Sequence, residues 1–95
     1  MSENTKKIIE AITPILKRAG VIRSDLFGSY AKGNDNAESD VDILVDFPKE
    51  KSLLDFADLK VKLEEELNKE VDLVEYDSVK PIIRNFVFNN LIKVL

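Results

Sequence analysis

The eight residues Asp40 to Phe47 (DVDILVDF) constrain this chain more than any others. Val41, Ile43, Val45 and Phe47 alternate with Asp40, Asp42, Leu44 and Asp46. In a strand the first set lines one face and the second set the other, because side chains repeat every two residues. One face is thus apolar and the other mostly acidic. The sheet holding such a strand buries its apolar face, while the acids need water, cations or hydrogen-bond donors. Pro48 removes a ladder donor and ends the strand.

The flanking segments supply the cover. Residues 4–18 carry Ile8, Ile9, Ile12, Ile15 and Leu16 at helical spacing, with Lys6, Lys7, Glu10 and Lys17 opposite. Pro14 falls inside this pattern, which predicts a kink or a division of the helix, and Gly20 closes it. Residues 21–27 (VIRSDLF) read as a strand, 28–33 (GSYAKG) as a turn opening a short helix, and 34–39 (NDNAES) as an exposed loop. Ser52 is the expected cap of a helix over 52–68, with Leu53, Phe56, Leu59, Leu63 and Leu67 as its stripe. Residues 70–76 (EVDLVEY) read as a third strand. Ser78 is expected to cap a last helix over 79–94, with Pro81 in its first turn and Ile82, Ile83, Phe86, Leu91 and Ile92 inward. Strands alternating with helices in 95 residues make one α/β domain, 1–95: a small mixed β-sheet of three or more strands with helices packed mainly on one face.

Composition narrows the chemistry. The chain has no cysteine and no histidine, which excludes disulfides, Cys/His zinc sites, thiol nucleophiles and imidazole catalysis. Carboxylates, hydroxyls, Lys/Arg and hard metal ions are what remain. The net charge of −4 disfavours direct nucleic-acid binding. No stretch approaches the roughly 20 apolar residues of a membrane span. The first twenty residues lack a signal-peptide core, so a cytoplasmic protein is expected.

Three features bear on function. Asp40 and Asp42 project from one strand face, their Cα atoms about 6–7 Å apart, close enough for both carboxylates to meet one or two metal ions. Taken alone, an Asp-x-Asp pair is more readily a solvated strand face at a sheet edge. Gly28-Ser29 follows a strand, where a Gly lets a phosphate approach the backbone and a Ser hydroxyl donates to its oxygens. Alone it is an ordinary turn; it is neither a P-loop nor a dinucleotide fingerprint. Asp72, between Val71 and Leu73, either faces solvent or is compensated by a cation.

In combination the three match one arrangement. Gly28-Ser29, ten intervening residues, Asp40-Val41-Asp42 in a strand and Asp72 in a later strand resemble the signature of the DNA polymerase beta-like nucleotidyltransferase superfamily. The likeness spans roughly residues 8–95 and is greatest to the minimal nucleotidyltransferase (MNT) proteins, single-domain members paired with a HEPN-domain protein. The resemblance implies that Gly28 and Ser29 hold the β- and γ-phosphates of ATP. It implies that Asp40 and Asp42 bridge two Mg²⁺ ions, and that Asp72 completes the metal site and helps activate the acceptor hydroxyl. Asp46 and Glu70 share strand faces with Asp42 and Asp72 and are alternative ligands. Lys32 is read as a surface lysine, with a phosphate contact as the alternative.

The larger enzymes of the superfamily carry a further domain for the acceptor. None is visible here, so the acceptor is expected on another protein. The resemblance then implies a protein adenylyltransferase: an antitoxin that moves AMP from ATP to a tyrosine of its HEPN toxin. The alternative is an antitoxin that neutralises its partner by binding alone. A transferase acting on a small molecule or nucleic acid is a third reading. A homodimer and a hetero-oligomer are both compatible with the sequence.

Overall fold

The computed structural model describes residues 1–95. Its elements are α1 (Glu3–Arg18), β1 (Arg23–Phe27), α2 (Gly28–Lys32), β2 (Val41–Asp46), α3 (Leu53–Leu67), β3 (Val71–Glu75), a 3₁₀ turn (Tyr76–Ser78), α4 (Pro81–Phe88) and β4 (Ile92–Lys93). The four strands form one mixed sheet in the order β3-β2-β1-β4. β1 is antiparallel to β2 and β4, and β2 is parallel to β3. The parallel pair needs a crossover, and α3 supplies it.

Ser2 caps α1, its side chain accepting the Thr5 N–H at 3.1 Å. The helix buries Ile8, Ile12 and Leu16. Pro14 does not divide it. Pro14 and Glu10, four residues back, are both exposed, so the carbonyl that loses its donor faces water. Gly20, at φ +81°, ends the helix, with Val21 N–H reaching Leu16 O at 3.1 Å. Lys51 adds a bond from Nζ to Ala19 O at 2.7 Å. Ser52 and Asp55 cap α3 reciprocally, each side chain accepting the other's backbone N–H.

The apolar face of β2 meets α1 and α3 as expected. Val41, Ile43 and Val45 are fully buried with Leu26, Ile12, Leu16, Leu59 and Leu63 in one cluster. Phe47 and Phe56 meet edge-on at 5.4 Å. Within the α3 stripe Leu53 is the exception, since it lies in the first turn and is exposed.

The C-terminal segment departs from the sequence expectation. α4 stops at Phe88, and residues 92–93 form β4 instead of continuing the helix. Ser78 belongs to the 3₁₀ turn, and Lys80 takes the cap position without a side-chain bond. Ile82 (91% exposed), Ile83 and Phe86 (66%) face outward, not inward, while Leu91 and Ile92 are half-buried. The physical reason lies in the sheet: β4 supplies hydrogen-bonding partners along β1 that a continued helix could not. Because β3 and β4 occupy opposite edges, the segment between them must cross the sheet. It touches the acidic side: the Tyr76 hydroxyl donates to Asp25, Phe88 packs on Tyr76, and Phe86 meets Lys32.

Candidate active site

The strand register builds the site. Phe27 of β1 stands opposite Asp42 of β2, and Asp42 stands beside Asp72 of β3. Strand spacing puts Asp42 and Asp72 about 4.8 Å apart at the backbone, on one face. Asp40 lies two residues before Asp42, just outside the strand and exposed. The three carboxylates do not close into a cage of their own. Mutual repulsion opposes such a cage without a cation, and Mg²⁺ needs only one or two carboxylates when phosphates and waters complete its shell.

Asp42 shows the electrostatic cost. Burial first, then the charges of Asp72 and Asp40, push its carboxyl up from 3.8 to about 6. A cation between these acids would reverse all but the burial contribution.

Gly28 explains its own presence. It has φ +70°, and a Cβ built there would overlap the Asp42 carboxylate. Glycine is required here twice over, by the backbone conformation and by the space Asp42 occupies. Ser29 follows, half-buried, at the start of α2. The structure therefore brings Gly28, Asp42 and Asp72 together with Ser29 next in the chain, while Asp40, exposed like Asp72, is near enough for its charge to act on Asp42.

The alternative ligands separate. Asp46 sits opposite Arg23 at the far end of β2, about 13 Å from Asp42. Glu70 precedes β3 beside Asp40, its carbonyl accepting the Val41 N–H at 3.0 Å. Two cavities, of about 550 and 590 Å³, lie between α1 and α3 and beside Phe47–Leu53. Neither includes Asp42 or Asp72; Asp40 and Asp72 are exposed and Asp42 is half-buried.

Sequence reasoning missed Asp25. It is one row away from Asp42 on the same face, opposite Leu44, and is only 6% exposed. Tyr76 donates its hydroxyl at 2.5 Å, and Arg23 approaches at 3.4 Å while stacking over the Tyr76 ring at 4.6 Å. Burial and this bond to Asp25 push the Tyr76 hydroxyl well above its ordinary value. No local pattern announces a pair 51 residues apart. Lys32 is exposed, as read from the sequence, and its Nζ stands 3.8 Å from the centroid of Phe86.

Comparison with known proteins agrees with this geometry. Residues 6–94 match the family described as the nucleotidyltransferase domain. A Methanocaldococcus jannaschii relative, provisionally named protein adenylyltransferase MJ0435, is 46% identical over 92 residues, covering 97% of this chain and 99% of that one. The protein adenylyltransferase MntA of Thermococcus cleftensis is 44% identical over 78 residues, covering 82% and 79%. Among solved structures, one provisionally described as a minimal nucleotidyltransferase superposes with TM-score 0.79 at 37% identity, over 95% of this chain and 92% of that one. A toxin–antitoxin structure with AMP-PNP gives 0.77 at 26%, over 92% and 72%. The complex of a tri-AMPylated Shewanella oneidensis HEPN toxin with its MNT antitoxin shares the fold, with TM-score 0.73 at 22% identity over 96% and 71%.

The chain belongs to the nucleotidyltransferase family. Within that family it stands with the minimal nucleotidyltransferases, and it is an enzyme of the protein adenylyltransferase kind.

Proposed function

We propose that this chain transfers AMP from ATP, in the presence of Mg²⁺, to a tyrosine hydroxyl of a HEPN-domain toxin and so acts as its antitoxin. The observation that carries the reading is the row Gly28–Asp42–Asp72, in which glycine makes room for one of two neighbouring carboxylates. The relatives' names and the toxin complexes of similar structures support the partner.

Each residue has a role in this reading. Ser29 and the backbone beside Gly28 hold the β- and γ-phosphates. Asp40, Asp42 and Asp72 would hold Mg²⁺, which when bound neutralises charge on the triphosphate and the leaving group. Asp72 faces the acceptor and takes its proton as the hydroxyl oxygen attacks the α-phosphorus. The bond between the α-phosphorus and its bridging oxygen breaks, and pyrophosphate leaves. Positioning and charge neutralisation suffice for such a transfer, so the absence of His and Cys is no obstacle. An open acid face suits an acceptor side chain carried on another protein.

No helix is long and apolar enough to cross a membrane, and we place the reaction in the cytoplasm, where ATP and an intracellular toxin meet. The purified pair, incubated with ATP and Mg²⁺, should gain the mass of one or more AMP groups on the toxin. Asp42→Asn should abolish that gain. A toxin silenced without any mass gain would instead favour neutralisation by contact.

A further inference from the structure

We propose that Phe86 is the stacking platform for the base of the nucleotide, a role that rests on the triphosphate reading of Ser29 and the acids. Phe86 is the one exposed aromatic of the chain. The other six (Phe27, Tyr30, Phe47, Phe56, Tyr76 and Phe88) are half-buried or buried. Exposed apolar residues are unremarkable in themselves, and Ile82 and Ile83 of the same helix are exposed too. What sets this one apart is its place and its anchoring.

Its place is given by Lys32, whose Nζ lies 3.8 Å from the ring centroid. Lys32 and Ser29 belong to the same short helix, three residues apart and thus about 4.5 Å along its axis. The ring therefore stands beside the short helix that carries the phosphate-holding serine.

Its anchoring comes from the same helix, two residues on. Phe88 packs on Tyr76 with centroids 6.4 Å apart, and the Tyr76 hydroxyl is held by the buried Asp25. Arg84 adds a bond to Val79 O at 3.1 Å. The platform is thus open to solvent on its ring and fixed through the backbone that carries it, the combination that base stacking uses. Lys32 covers part of one side, and the base takes the area it leaves open. Stacking of this kind rewards ring area over hydrogen-bond pattern, so purine nucleotides bind more tightly than pyrimidine ones.

The test separates base from phosphate. Binding of ATP and of tripolyphosphate, each with Mg²⁺, is measured calorimetrically for the wild type and Phe86→Ala. The expected result is a loss of about 5- to 100-fold for ATP and no loss for tripolyphosphate. Because the chain contains no Trp, Phe86→Trp supplies a single reporter that keeps the ring. Its fluorescence should respond to ATP and not to tripolyphosphate. Equal losses for both ligands in Phe86→Ala, or no loss for either, would overturn the platform while leaving the triphosphate site standing. A wild type that binds neither ligand would overturn the site and the platform together.

Discussion

The two faces of one strand make the instructive comparison in this molecule. On one side of β2, Val41, Ile43 and Val45 are fully buried against helices, and every neighbour they have favours the folded state. On the other, burial first, and then the charges of Asp72 and Asp40, push the Asp42 carboxyl up to about 6. The backbone is common to both, and side-chain parity divides stability from chemistry except at Leu44, which is fully buried on the acid side. The first face holds the protein together; the second is tolerated because the first does so.

The comparison is broken most severely from the apolar side. Ile43→Ala should cost about 2–5 kcal/mol, a large part of a domain's usual total of about 5–15, and a denaturant titration would read it. The matching change on the acid face, Asp42→Asn, should act in the opposite direction on stability while removing function. On the proposed reading, in which Asp42 is an ion ligand, transfer activity should fall by about 100-fold or more, because such a ligand contributes several kcal/mol at the transition state. The metal-free fold should gain about 1 kcal/mol at pH 7–8, discounted because Asp42 is about half exposed.

A pH series sharpens this further. The folded carboxyl titrates near 6 and the unfolded one near 3.8, so between those values the native state holds a proton that the unfolded state has lost. Stability of the metal-free wild type should therefore rise as the pH falls from about 7 towards 4. Relative to Asp42→Asn, the wild type should gain about 1 kcal/mol across that window. A parallel pair of curves would count against the crowding. The smallest effect belongs to the buried side again. The Tyr30 hydroxyl is buried with no protein partner, so Tyr30→Phe should be neutral or stabilising, by up to about 1 kcal/mol, in thermal melts.

What could be read in advance followed the same division. The alternation of Asp40 to Phe47 announced both faces, and the Ser52 cap and the order of helices and strands were equally local. The segment after β3 was not legible in this way. Ile82, Ile83 and Phe86 have helical spacing and do lie on a helix, but their outward orientation depends on the route from β3 to the opposite edge. β4 is two residues long and exists because β1 has an edge to fill; nothing in its own residues predicts it. The acids of the candidate site were legible as types and spacing. Their pairing across strands, the space over Gly28 and the contact between Asp25 and Tyr76 arise from register, which no local pattern encodes.

Gly28 has a practical consequence for anyone who needs a silent version of this protein. On the proposed reading the acid face meets the partner, and Asp42→Asn changes its net charge, so any change in partner affinity would be confounded with lost chemistry. Gly28→Ala alters no charge; its methyl displaces the Asp42 carboxylate by contact. At the cost of backbone strain at φ +70°, it is expected to impair transfer while keeping the net charge of the wild type, so that recognition and transfer can be assayed apart once a thermal melt shows that the variant folds.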